Sequence, residues 1–278
     1  MTSDASNGPA IPLLEMREVT KRFGGLPAVQ SFGFSVRDGE VLGIIGPNGA
    51  GKSTLIGLIG GAISPTAGTI LYQGQDIGRL SPHARSHLGI ARTFQITQPF
   101  AGLDVRENVL VGALFGRRNL SRNEAMRVTD DVLERVGMTP RAGLKGDQLT
   151  VADRKRLEMA RALATNPKLL LLDEVMAGLT SNEVDQAVQL IREINRSGVT
   201  VLVVEHIMRA IRGVSDRVLV MHHGRKIAED TPDEVLSDPR VIEAYLGERY
   251  SKQHQATQGS QTEGSAEAIE DEWKQGLA

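Results

Sequence analysis

Eight consecutive residues constrain this chain more than any others. Gly46-Pro47-Asn48-Gly49-Ala50-Gly51-Lys52-Ser53 satisfies the pattern G-x-x-x-x-G-K-[ST] at every fixed position. The apolar run Val41–Ile45 leads into it, and Thr54-Leu55-Ile56 opens a helical pattern behind it. The order strand, glycine-rich turn, helix brings backbone N–H groups and a helix N-terminus to one point, where an anion belongs. The glycines let the main chain wrap phosphate oxygens from Gly46 through Thr54. Lys52 can set its ammonium on β- and γ-phosphates, and the Ser53 hydroxyl can ligate Mg²⁺.

The rest of the chain reads as an α/β protein. Short β-rich runs separated by turn residues occupy Leu13–Val19, Phe32–Val36, Val41–Ile45 and Thr69–Tyr72, and residues 80–165 read as mostly helical. Apolar strands return at Leu169–Leu172, Val199–Val204 and Val218–Met221. Between the first two lies a well-punctuated helix. Thr180 and Glu183 match a capping box, Val184, Ala187, Val188, Ile191 and Ile194 recur at helical spacing, and Gly198 stands past the end. Continuously apolar strands alternating with helices predict a parallel sheet covered on both faces.

At 278 residues, with 40 % apolar and 24 % charged side chains, the chain can bury a sizeable core. Residues 1–11 read as a flexible lead-in. From about Tyr250 the composition turns to Gln, Ser, Thr, Gly, Ala and Glu, which predicts a disordered tail over 250–278. A formal charge of −2 and the lack of a basic stretch argue against nucleic acid as partner. Nowhere do about 18 apolar residues follow one another, so no membrane span is expected. Zero cysteines exclude thiolate metal sites and a cysteine nucleophile.

A second chemical motif is Leu169-Leu170-Leu171-Leu172-Asp173-Glu174, a buried-strand pattern ending in two acids. A carboxylate at the C-terminal end of such a strand lies where open α/β sheets bind ligands, so Asp173 is placed to hold Mg²⁺. Glu174 is then the general base that orients and deprotonates an attacking water.

Together these motifs resemble the ATP-binding cassette family, and further stretches follow its order. Arg92-Thr93-Phe94-Gln95 looks like the family's glutamine loop, which implies contact of Gln95 with Mg²⁺ and the attacking water. Val203-Val204-Glu205-His206 resembles its switch-histidine strand, so His206 would bond the γ-phosphate. Phe23, in Lys21-Arg22-Phe23-Gly24-Gly25, stands where the family stacks an aromatic on adenine. The family signature, ordinarily Leu-Ser-Gly-Gly-Gln, is matched by Leu149-Thr150-Val151-Ala152-Asp153. Thr150 keeps a hydroxyl, whereas Ala152 replaces a glycine that approaches nucleotide and Asp153 replaces a neutral glutamine.

The resemblance covers roughly residues 13–249. It implies a phosphate-loop nucleoside triphosphatase fold with a mixed sheet core, an N-terminal antiparallel β subdomain and an inserted helical subdomain at about 96–165, all within a domain at 12–249. Stretches such as Phe100-Ala101-Gly102-Leu103-Asp104-Val105 and Ala244-Tyr245-Leu246-Gly247-Glu248 resemble ATP-binding subunits of branched-chain amino acid importers. This implies an ATPase using ATP and Mg²⁺ at the cytoplasmic face of a membrane, paired with a second ATP-binding subunit, identical or different. Transmembrane permease subunits would be its direct partners and an extracytoplasmic solute-binding protein an indirect one. Two other classes carry less weight. A soluble cassette acting on nucleic acid or ribosomes usually has two cassettes or heptad arms, and a non-hydrolysing switch would not need Glu174, Gln95 and His206.

Overall fold

Val41–Ile45 folds as its apolar run predicts, a strand buried at every residue, and the glycine-rich turn leads from it into a helix over Lys52–Gly60. The computed structural model describes residues 11–93, 99–100 and 102–245. Its elements are β1 (Leu14–Phe23), β2 (Leu26–Val36), β3 (Val41–Ile45), α1 (Lys52–Gly60), β4 (Ala67–Tyr72), β5 (Gln75–Asp76), α2 (Pro82–Leu88) and β6 (Ile90–Arg92). There follow α3 (Val105–Leu114), α4 (Arg122–Arg135), α5 (Val151–Ala164), β7 (Leu169–Asp173), α6 (Ser181–Arg196) and β8 (Thr200–Val204). Then come α7 (Met208–Val214), β9 (Arg217–His222), β10 (Arg225–Asp230) and α8 (Pro232–Ser237), and residues 239–245 are again helical.

The strands form two sheets. A four-stranded antiparallel sheet runs β2-β1-β4-β5, and a six-stranded sheet runs β10-β9-β3-β8-β7-β6. In the larger sheet every neighbouring pair is parallel except β9 with β10. The mixed sheet thus carries the parallel core that apolar strands alternating with helices predict.

Side-chain alternation divides the core between the two faces of that sheet. Leu42, Ile44, Leu169, Leu171, Leu202, Val204, Leu219 and Met221 pack with α1 and the antiparallel sheet. Val41, Ile45, Leu170, Leu172, Val201, Val203, Val218 and Val220 pack with the helices of the other layer. Burial on both faces explains why these strands read as unbroken apolar runs.

Helix α6 begins at its predicted capping pair, with the Thr180 N–H and hydroxyl both donating to the Glu183 carboxylate and Val184, Ile191 and Ile194 buried. Gly198 takes φ +92°, which lets the chain turn sharply into β8. Three strands depart from the sequence reading, the first being the two-residue β5, too short to show any alternation. Residues 80–165 do hold α2 to α5, yet Ile90–Arg92 pairs in parallel with β7, too short a strand for its alternation to be legible. Strand β10 is the edge of its sheet, and its charged sequence Arg225-Lys226-Ile227-Ala228-Glu229-Asp230 suits an exposed edge rather than an apolar pattern.

A buried cation anchors α1 from behind. Arg85 on α2 is 1 % exposed, and its guanidinium donates to the carbonyls of Leu58, Ile59 and Leu80. Two of those carbonyls belong to the last turn of α1, whose terminal carbonyls lack helical partners. Arg85 therefore fixes the far end of the helix that begins with Lys52.

Candidate functional site

Three neighbouring parallel strands, β3, β8 and β7, end on the same edge of the sheet. The glycine-rich turn leaves the first, Glu205 and His206 follow the second, and Asp173 and Glu174 close the third. Adjacent strands lie about 4.8 Å apart, so side chains from these ends converge.

The turn cannot tolerate side chains at two of its glycines. A Cβ at Gly46 (φ +155°) would stand 2.1 Å from the Met221 carbonyl oxygen, and one at Gly51 (φ +109°) would stand 2.4 Å from that of Ala28. No side chain caps the N-terminus of α1, which leaves its first N–H groups for an external acceptor. Lys52 is buried, and its ammonium donates to the carbonyls of Gly46 (2.6 Å) and Pro47 (2.9 Å). The cation thus sits inside the turn it follows, and Ser53 is exposed beside it. Asn48 and Gly49 are exposed at the tip, Ala50 is buried and Thr54 is half-buried.

Asp173 is buried. One carboxylate oxygen pairs with Arg92 at 3.0 Å, and the other has no hydrogen-bond partner among the described residues. An orphaned carboxylate oxygen next to a phosphate cradle and an exposed hydroxyl is a hard-oxygen donor set that fits Mg²⁺. Glu174 adopts φ +51°, a left-handed conformation costing about 1–3 kcal/mol for a residue with a side chain. Its N–H donates to the Val204 carbonyl at 2.9 Å, which ties the ends of β7 and β8 together. Its Oε1 lies 2.7 Å from His206 Nε2.

Behind this pair lies a residue the sequence reading passed over. Glu205 is almost wholly buried, accepting from the backbone N–H of Met176 at 2.7 Å and from that of His206 at 3.4 Å. Burial pushes its carboxyl up to about 7, partly opposed by those two donors. Lys155 on α5 also reaches the site, donating to the Glu174 carbonyl at 3.1 Å. The available signal for Glu205 was an acid directly after the apolar run of β8. For Lys155 there was none, because α5 meets β7 only in the folded chain.

The remaining expected residues are spread around this centre. Phe23 lies at the β1–β2 turn, 52 % exposed, with the Lys21 ammonium 5.1 Å from its ring centre. That leaves a ring face for stacking. Thr150 caps α5, where its hydroxyl accepts from the Asp153 N–H at 3.1 Å and donates to an Asp153 carboxylate oxygen at 2.9 Å. The other Asp153 oxygen pairs with Arg141 at 3.0 Å. Ala152 is half-buried beside them. Gln95 lies outside the described residues, as do residues 1–10 of the lead-in and the tail at 250–278. A cleft of about 730 Å³ borders Pro47, Asn48 and Ala50 and faces His222, His223 and Lys226. None of Lys52, Asp173, Glu174 or His206 lines it, so side-chain chemistry and not cavity size locates the site.

Comparison with known proteins gives consistent matches. A family model described as ABC transporter matches residues 29–177, and one described as branched-chain amino acid ATP-binding cassette transporter matches residues 225–251. The high-affinity branched-chain amino acid transport ATP-binding protein LivG of Salmonella typhimurium is 37 % identical over 253 residues, spanning 85 % of this chain and 98 % of LivG. The crystal structure of an ATP-binding cassette of an ABC transporter in its ADP conformation superposes with TM-score 0.77 at 32 % identity, over 86 % of this chain and all of that one. A dimeric cassette in a post-hydrolysis state with ADP and phosphate superposes with TM-score 0.71 at 27 % identity, over 79 % of this chain and 98 % of that one.

Proposed function

The chain belongs to the ABC transporter family of ATP-binding cassettes, and from that membership we propose that it is the ATP-hydrolysing subunit of a membrane importer for branched-chain amino acids or related small polar solutes. One observation carries the chemistry. The ends of β3, β8 and β7 bring a glycine-rich turn with its lysine, a buried carboxylate with one unpartnered oxygen and a hydrogen-bonded Glu174–His206 pair to one edge. The match at 225–251 and the identity to LivG support the solute class.

In this reading Gly46–Thr54 and Lys52 hold the triphosphate, and Phe23 stacks on the base. Glu174 orients a water in line with the bond between the γ-phosphorus and the β–γ bridging oxygen. As water attacks, that bond breaks, Glu174 takes the proton and ADP departs with the bridging oxygen. His206 turns from Glu174 to a γ-phosphate oxygen and steadies its charge. Ser53 and Asp173, with Gln95, would hold Mg²⁺, which when bound neutralises charge on the phosphate oxygens. Nucleotide shared between this chain and the signature of a second ATP-binding subunit makes dimer closure depend on ATP, and that closure drives the permease.

Residues 95–110 are proposed as the permease docking surface. Phe100 is 42 % exposed and lines a cleft of about 290 Å³ with Pro82, Arg92 and Arg161. Its backbone is tied to α3, its N–H donating to Asn108 Oδ1 at 2.8 Å, and Arg161 stacks 4.3 Å over its ring. An aromatic held in place yet left open at a cleft suits a partner better than solvent. The subunit would sit peripherally on the cytoplasmic face; among the described residues no helix is long and apolar enough to cross a membrane.

The test is reconstitution. The chain, assembled with the permease that co-purifies from membranes, should release phosphate from ATP faster when a binding protein loaded with leucine is present. Crosslinks from position 100 should reach the permease. Crosslinks only within this chain, or ATP turnover indifferent to permease and solute, would overturn the proposal.

A further inference from the structure

Arg92 closes β6 and faces two ways. Its guanidinium donates to Asp173 Oδ2 at 3.0 Å, with the Asp173 side chain 2 % exposed and that of Arg92 21 % exposed. The same side chain borders the Phe100 cleft and lies along α1, where a Cβ at Gly60 would stand 3.5 Å from Arg92 Cδ. The next residue, Thr93, is fully buried, and its hydroxyl accepts from the Asp173 N–H at 3.3 Å. The end of β6 therefore grips both the backbone and the carboxylate of Asp173.

A buried charge is costly unless it is paired, and the structure pairs the Asp173 carboxylate with Arg92. A divalent ion on the same carboxylate would meet the guanidinium at close range and in low dielectric, where like charges repel strongly. We infer that Arg92 is the resident counter-cation of Asp173, competing with the metal for that carboxylate and turning toward the Phe100 cleft when the metal takes it. This rests on the proposed metal-binding role of Asp173. By linkage, a cleft occupant that offers Arg92 a carboxylate or carbonyl oxygen tightens metal-nucleotide binding, and metal-nucleotide tightens that occupant. The metal site and the docking cleft are then coupled through one side chain.

Thermal unfolding of the full chain, titrated with MgCl₂ at saturating ADP, reads the competition without turnover. In Arg92→Met the MgCl₂ concentration giving half the stabilisation should fall about tenfold, within the usual range of such couplings, while Arg92→Lys should stay near wild type. Should Arg92→Met fail to fold without metal, because Asp173 is left unpaired, MgCl₂ with ADP should restore its folding. An unchanged or raised midpoint in Arg92→Met, or no recovery by MgCl₂, overturns the inference. Asp173→Asn separates the two ideas, since a full Mg²⁺ response in that variant refutes the role of Asp173 itself. The chain has no cysteine, so a fluorophore on Ser86→Cys, at the cleft, should change emission on adding MgCl₂ with ADP in the wild-type background and not in Arg92→Met. Equal changes in both would sever the cleft from the metal.

Discussion

His206 Nε2 and Glu174 Oε1 form a hydrogen bond of 2.7 Å across the ends of β8 and β7. An ionised carboxylate only accepts, so the proton of this bond sits on Nε2. That is the tautomer a γ-phosphate oxygen would require of His206. Glu174 thus orients His206 Nε2 as the acceptor that a γ-phosphate oxygen would replace in the proposed reaction.

Glu174→Gln should keep this arrangement and remove the base. The amide oxygen can still accept from His206 and the side chain keeps its shape, so ATP binding should persist while hydrolysis falls by about 10²- to 10⁴-fold. A dimer that persists in ATP should be visible by gel filtration with light scattering. Near-normal turnover would move the base elsewhere, His206 being next.

Lys52→Ala should abolish most ATP binding, because Lys52 is the side-chain cation that the turn holds at its centre, on the carbonyls of Gly46 and Pro47. Equilibrium binding of a fluorescent ATP analogue checks this. Unchanged affinity would refute the phosphate site.

What could be read from the sequence was whatever is local. The turn between β3 and α1 is written in eight consecutive residues, and α6 announces itself by Thr180, Glu183 and Gly198. The apolar runs of β3, β7 and β8 are legible because both faces of their sheet are buried. The short strand β6 and the charged edge strand β10 are not, since one lacks length and the other lacks burial. The same division holds in the site. Asp173, Glu174 and His206 follow apolar strands, whereas Arg92 reaches Asp173 across 81 positions and Lys155 reaches Glu174 across 19. Contacts of that kind depend on which strands become neighbours.

Glu205 gives the fold a pH dependence of known sign. Its carboxyl ordinarily titrates at 4.5 and burial raises it to about 7. Below 4.5 both folded and unfolded chains carry the proton. Between the two values only the folded chain keeps it, so this contribution to stability is lost as pH rises and levels off above about 7. The loss is on the order of 3 kcal/mol. Glu205→Gln keeps an acceptor for the Met176 N–H but does not titrate, so it should gain stability on wild type between pH 5 and pH 8. Parallel denaturant curves for the two proteins across that range would refute the assignment.

The altered signature should make the two nucleotide sites of a dimer unequal. In a cassette dimer each ATP lies between one chain's phosphate loop and the other's signature, so changes at Ala152 and Asp153 act on the partner's nucleotide. Asp153 does not project outward as a free anion. It is 7 % exposed, neutralised by Arg141 and engaged by the Thr150 hydroxyl, so the donor that would serve the neighbouring γ-phosphate is already committed. Two copies of this chain would carry that weakness twice. One copy joined to a sister subunit bearing Leu-Ser-Gly-Gly-Gln would have a strong site, built on this chain's Lys52, Asp173, Glu174 and His206, and a weak one; importers resembling this one commonly use two different ATP-binding subunits. Replacing Ala152→Gly and Asp153→Gln together should free the Thr150 hydroxyl and let the backbone approach nucleotide. Loss of the half-exposed Arg141 pair should cost less than about 1 kcal/mol. The ATPase rate of the isolated chain should therefore rise several-fold, and that of the assembled transporter much less. An isolated wild-type chain that already matches the double variant would show that the committed hydroxyl does not limit the site.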